Sequence, residues 1–185
     1  LLSSNLGFDP ERKEDDSLQA HYQAGRIASY KLIDKGGIRF GLFGLLGNNA
    51  VAVSPMIKPA VFADPVATAQ AMVAKLREEG AEVVILLSHM GVVQQEDGSW
   101  RGEEVELVEQ VPGIDIVVGG HSHTALAQPV LVNGRTPVMQ AGSEIQHLGE
   151  LHMRLLADGK PQVVDYQLHP INDQIAGSAA ITAKV

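Results

Sequence analysis

Apolar and polar positions along this chain change their spacing several times, and each spacing predicts an element. Residues 27–33 and 38–46 are two extended runs, and Asp34-Lys35-Gly36-Gly37 between them is hairpin turn chemistry, because glycine tolerates positive φ. Asp64-Pro65 predicts a helix start, with Asp64 capping free N–H groups and Pro65 at the first helical position. Val66, Ala69, Val73 and Leu76 then recur at three- and four-residue steps on one face, and Gly80 ends the helix. The nearly unbroken apolar run 82–88 predicts a parallel strand buried on both faces. Residues 94–102 form a polar loop around Asp97-Gly98, with Trp100 as a local anchor. Residues 103–111 form a short helix broken by Pro112-Gly113, and 114–118 a second buried strand. The centre of the chain is thus an α/β unit.

The last third alternates with period two. Residues 130–132 and 137–140 flank Asn133-Gly134 as a hairpin. Residues 149–156 place Leu151, Met153 and Leu155 on one side and His152 and Arg154 on the other. Asp158-Gly159 turns the chain, and 163–168 return antiparallel with one wet face. Residues 9–20 are a charged surface loop. No internal repeat or low-complexity segment interrupts this order.

The composition narrows the function. In 185 residues, 45% are hydrophobic and 19% charged, which is globular rather than disordered. Lys+Arg number 14 against 22 Asp+Glu, a net charge of −8 that argues against a nucleic-acid polymer or an anionic membrane surface as partner. No apolar run reaches the ~18 residues of a membrane span. With no Cys there is no disulfide, thiol nucleophile or cysteine-built metal site. The opening Leu1-Leu2-Ser3-Ser4-Asn5-Leu6 has neither an initiator Met nor a signal-peptide pattern, and reads as the interior of a longer protein.

Both buried strands run into histidine: Ser88-His89-Met90-Gly91 and Gly119-Gly120-His121-Ser122-His123-Thr124. Ligands of open α/β sheets gather at the carboxyl ends of strands. In an extended segment His121 and His123 point to the same side, and imidazole is a common transition-metal ligand. A bare His-x-His pair is equally at home as surface polarity, and no Asp or Glu adjoins these histidines in sequence. His89 at the neighbouring strand end adds a third donor. Gly41-x-x-Gly44-x-x-Gly47 lacks the dinucleotide spacing and is read as tight packing, with no clear helix after it. No nucleophile elbow surrounds Ser88 or Ser122. His21, His147, His152 and His169 fall at scattered, surface-like positions.

The segments Leu86-Leu87-Ser88-His89-Met90-Gly91, residues 111–124 through Gly-Gly-His-Ser-His-Thr, Val138-Met139-Gln140-Ala141-Gly142-Ser143 and Leu148-Gly149-Glu150-Leu151 resemble the 5′-nucleotidase-like branch of the calcineurin-type metallophosphoesterases. Residues 3–6, 30–32 and 37–45 follow the same order, so the resemblance spans nearly the whole chain. It implies an α/β fold, part of a four-layered α/β/β/α sandwich with mixed sheets, and a centre of two divalent ions (Zn, Mn, Fe or Co). His89 and His121 would ligate one ion and His123 would face the other. The family's Asp-x-His pair, bridging Asp and Gly-Asn-His-Glu segment do not occur in this sequence. Residues 1–185 are therefore expected to be the C-terminal half of a catalytic domain, inactive alone, with the catalytic acid upstream and a nucleoside-binding domain downstream.

The implied reaction is two-metal hydrolysis of a nucleotide or other small phosphoester, in a periplasmic or extracellular setting. UDP-sugars, cyclic nucleotides and thiosulfate-oxidation intermediates are the alternative substrates within the family. A non-catalytic binding module that retained the fold is the alternative outside it. A lone half-domain is also expected to leave strand 83–87 or its neighbour with an unpaired edge and an uncovered apolar face, inviting a strand-exchanged oligomer.

Overall fold

The computed structural model describes residues 1–157 and 159–184. In chain order the elements are β1 (Leu6–Gly7), α1 (Asp16–Gln23), β2 (Tyr30–Lys35), β3 (Ile38–Leu46), α2 (Asn48–Ala52), β4 (Val61–Phe62), α3 (Pro65–Glu78) and β5 (Val83–His89). Then follow β6 (Val93–Gln94), β7 (Trp100–Arg101), α4 (Glu103–Gln110), β8 (Ile116–Val118), β9 (Val130–Val132), β10 (Thr136–Met139), β11 (His147–Leu155), β12 (Pro161–Pro170) and α5 (Ala179–Thr182).

A six-stranded mixed sheet, ordered β2-β3-β5-β8-β10-β9, organises the molecule. β3, β5, β8 and β10 run parallel, and β2 and β9 join antiparallel at the two edges. The turn between β2 and β3 is two glycines, Gly36 and Gly37, with φ of 62° and 82°. That conformation matches the twist of the flanking strands and costs glycine little. Asp64 Oδ1 accepts from Ala67 N at 2.8 Å and caps α3 as expected.

α3 and α4 cover one face of the sheet. Ala69, Val73 and Leu76 of α3 and Val105, Leu107 and Val108 of α4 pack with Phe43, Leu45, Val84, Leu86, Val117 and Val138 of the strands. Each fully buried aliphatic side chain of this set contributes roughly 1.5–3 kcal/mol. The β11–β12 hairpin covers part of the other face, placing Leu151, Met153, Leu155 and Tyr166 against Val83, Ile116 and Met139. At the edge formed by the strands' amino ends, Asp115 is buried and accepts from Val84 N at 2.7 Å and from Arg77, which also donates to the carbonyls of Ala81, Glu82 and Gly113.

Several expectations are corrected. Residues 16–23 are helical rather than loop: Tyr22 stacks edge-on against Phe8 at 5.6 Å and its hydroxyl meets Ser29, which holds a short helix that its charges alone would not mark. Of the first extended run only residues 30–33 are strand, and β2 continues through Asp34 and Lys35 of the expected turn. The polar loop 94–102 contains the antiparallel pair β6–β7, and Trp100 packs on the core as the expected anchor. A five-residue helix, α2, does follow Gly47. Burial on both faces holds for the first half of β5 but not at its end. Leu87 is 37% exposed and Val118 is 45% exposed, because the β11–β12 hairpin stops short of them.

The expected unpaired edge is also absent: β5 has β3 on one side and β8 on the other, so nothing in the sheet calls for strand exchange there. Of the expected turn at Asp158-Gly159, Asp158 lies outside the described residues, and Gly159 has φ 77°.

Gly41 and Gly44 mark close approach. A Cβ on Gly41 would lie 2.9 Å from Ala81 Cβ, and one on Gly44 would lie 2.5 Å from the Leu2 carbonyl oxygen. Gly44→Ala is expected to lower stability by about 1–3 kcal/mol, because a backbone carbonyl cannot rotate away. Gly47 aside, this should be read by denaturant melts against Lys35→Ala, an exposed change expected to leave the midpoint in place.

Candidate metal centre

β5 ends at His89 and β8 ends two positions short of that level, since Leu87 pairs with Val118. The chain leaving β8 therefore crosses in front of β5 as Gly119-Gly120 and presents His121 beside His89. Their rings lie 5.1 Å apart between centroids at 61°, edge to face. A side chain at Gly120 would crowd His89, its Cβ 3.0 Å from Nδ1.

His121 Nε2 shares a hydrogen bond with Asn49 Oδ1 at 2.8 Å, and Asn49 N in turn donates to Glu103 Oε1 at 2.9 Å. Burial pushes His89 below the ordinary imidazole value, and repulsion from His121 and then His123 adds to the shift. A neutral imidazole keeps the lone pair that a metal requires.

The structure brings two of the three expected histidines together. His123 sits exposed on the same loop, and among the described residues no three His, Cys, Asp or Glu side chains converge as a metal cluster. The reason lies in the backbone. The same-side expectation for residues 121 and 123 holds only for an extended segment. His121 has φ 79° and His123 φ 55°, both left-handed, a conformation uncommon in any residue with a side chain. The donor set fits a first-row transition ion in chemistry, with unprotonated imidazole favoured at His89, and two facing rings supply part of one coordination sphere.

Below the histidines, an apolar cleft of about 540 Å³ runs along the uncovered sheet face, lined by Leu6, Leu46, Leu87, His89, Val118 and Gly120 among others.

Supports that sequence spacing did not reveal lie beneath the loop. Glu104 of α4 is fully buried, and its Oε1 accepts from Gly120 N at 3.3 Å. Any side chain at Gly119 would fall on that carboxyl. So an acidic side chain does pack under the histidine loop, and it comes from a helix 15 positions from His89 and 17 from His121 in sequence. Burial pushes the Glu104 carboxyl above its usual range, opposed by Ser88 and by the amides of Gly91, Gly120 and Met90. Ser88 Oγ lies close without meeting hydrogen-bond geometry, so both it and Glu104 Oε2 are buried and unpartnered. The only sequence signal was a second glutamate in the first turn of a helix that is otherwise amphipathic.

His147, expected at a surface-like position, instead has its Nδ1 buried and without a hydrogen-bond partner among the described residues. His152 and His169 both bond the Glu150 carboxylate, at 2.9 and 2.7 Å, on the exposed face of β11–β12. Those contacts, His169 first, hold Glu150 below the usual carboxylate range.

The calcineurin-like phosphoesterase family profile matches residues 5–125. The chain belongs to that family. Trifunctional nucleotide phosphoesterase protein YfkN of Bacillus subtilis is 34% identical over 161 residues, covering 82% of this chain and 10% of that protein. Snake venom 5′-nucleotidase of Naja atra is 27% identical over 181 residues, covering 88% of this chain and 32% of that protein. The 5′-nucleotidase precursor of Thermus thermophilus superposes with a TM-score of 0.74 at 23% identity, over 99% of this chain and 36% of that one. These relatives place this calcineurin-like phosphoesterase chain in the 5′-nucleotidase-like branch. It spans about a third or less of their length. Among its described residues no helix is long and apolar enough to cross a membrane.

A protonated Glu104 suits the buried site, so its contribution to stability is complete below the ordinary glutamate value and is lost as pH rises through its raised folded value. Glu104→Gln is neutral at every pH and nearly isosteric. In metal-free protein, its thermal midpoint is expected to match wild type near about pH 4 and to exceed it at about pH 8.

Proposed function

We propose that this chain is part of the catalytic domain of a metal-dependent phosphoester hydrolase acting on nucleotides, and that His89, His121 and His123 are its metal ligands. The observation that carries this reading is the pairing of the His89 and His121 rings, 5.1 Å apart, at the carboxyl edge of a parallel sheet. Two bound divalent ions would supply Lewis-acid neutralisation of phosphoryl charge and activation of the attacking water.

The chain's own residues prepare that chemistry. Burial, with repulsion from His121 and then His123, favours the neutral form of His89 that can donate to a metal. Asn49 holds His121 by one ring nitrogen and so fixes the orientation of the other. Gly120 leaves room against the His89 ring, where a Cβ would stand 3.0 Å from Nδ1, and Gly119 leaves room for the Glu104 carboxyl beneath the loop. Three imidazoles carry no negative charge to screen two cations from each other. The bridging carboxylate and the acid that protonates the leaving oxygen are assigned to chain outside residues 1–185, so this stretch alone is expected to be inactive. Likeness to a nucleotide phosphoesterase and a venom 5′-nucleotidase supports the proposed nucleotide substrate and periplasmic or extracellular setting.

In the full-length protein, His121→Ala is expected to lower kcat/KM for a nucleoside monophosphate by roughly 10²-fold or more, since a group that stabilises transition-state charge is lost. His152→Ala, on the far hairpin, should stay within about twofold, as surface changes remote from a site usually do. Wild-type turnover in His121→Ala with metal content unchanged would sink the ligand assignment. Turnover of UDP-sugars or cyclic nucleotides, in place of the monophosphate, would move the substrate within the family.

A further inference from the structure

We propose that Gln140 is the positioning residue that holds the His121–His123 loop in its ligand-presenting shape, an inference that rests on the metal reading above. Gln140 directly follows β10 and is 2% exposed. Its Oε1 accepts from Ser122 Oγ at 3.0 Å and from Thr124 N at 2.5 Å, and its Nε2 donates to Gly120 O at 2.7 Å. The three partners are residues 120, 122 and 124, which alternate with the two histidines. Each histidine is thus bracketed on both sides by groups bound to a single amide.

This bracketing has an energetic purpose. A left-handed backbone is strained in any residue with a Cβ, and His121 and His123 are both left-handed. Such strain persists where surrounding contacts over-determine the backbone. Released from Gln140, the loop would relax toward negative φ and swing the ring at 121 away from His89. Only an amide of this length meets all three demands. A carboxylate accepts from Ser122 and Thr124 but offers no donor to Gly120 O, and a thioether of similar volume offers neither function. Ser122 transmits the restraint further: its proton goes to Gln140 while its Oγ accepts from Val92 N at 3.0 Å, and Thr124 Oγ1 donates to Val92 O at 2.7 Å, just beyond His89. Gln140 therefore sets the loop relative to the strand end that carries the other histidine.

The test uses the full-length protein with cobalt(II) as probe, reading affinity by chelator competition, the visible d–d spectrum and the thermal midpoint. Gln140→Met is expected to weaken cobalt binding by about 10–100-fold, the usual effect of losing a group that orients a ligand, and to alter the d–d spectrum. Gln140→Glu, which keeps the two acceptor contacts, should fall between it and wild type. Val138→Ala, buried in the same strand, should lower the midpoint while leaving affinity and spectrum as in wild type, which separates positioning from general destabilisation. Wild-type affinity and spectrum in Gln140→Met overturn the proposal. If Gln140→Met does not fold, an unchanged Gln140→Glu overturns it. A wild-type protein that binds no cobalt fails differently, by removing the metal reading itself.

Discussion

Parallel pairing of β5 with β3 and β8 is the constraint on which the site depends. Parallel strands must end on the same edge of a sheet, so whatever follows each of them is delivered to one place. Register then sets the detail: His89 pairs with Leu46, while β8 already ends opposite Leu87. The two-residue difference lets the glycine pair after β8 pass in front of β5, and the imidazoles meet as a result. Packing of α3 and α4 against the opposite face stabilises that register, because a slip by one residue would turn Val84 and Leu86 out of the core.

Much of this was legible in the sequence where local chemistry and tertiary packing agree. Asp64-Pro65 capped a helix, Gly36-Gly37 closed a hairpin, and the apolar run before His89 was a parallel strand. The misses fall where one of the two is silent. Residues 16–23 are polar, and their helix is secured by a Phe8–Tyr22 contact that no periodicity records. β6 and β7 are two residues each, too short for alternation to register. At the site, the positions of His89, His121 and His123 were visible because strands end there. The path between 121 and 123 was not, because two left-handed residues with side chains are a local improbability that only side-chain groups from elsewhere in the chain can sustain.

Glu104 and Gln140 illustrate why such supports escape a sequence reading. Each is a polar residue in an apolar setting, reaching backbone groups 16 to 20 positions away. Buried polar groups of this kind are costly unless paired, and apart from Ser122 Oγ their partners here are main-chain atoms, which every residue possesses. Sequence therefore carries no complementary letter to look for. The cleft beside the site shows the same thing in reverse: Leu87 and Val118 belong to strands that look wholly buried in sequence, yet the hairpin over that face ends before reaching them.

The Arg77–Asp115 clamp sits at the other end of the same strands. One guanidinium gathers three carbonyls and a buried carboxylate that itself holds Val84 N, joining the end of α3 to the beginnings of β5 and β8. The sheet is thereby riveted at its amino edge, independently of the Glu104 and Gln140 contacts that hold the loop at its carboxyl edge. Perturbations at ends so far apart, with no shared partners, add nearly independently. A lineage carrying this scaffold is free to rewrite the loops of one margin, and with them the chemistry on offer, while the rivet at the opposite margin keeps the strands aligned.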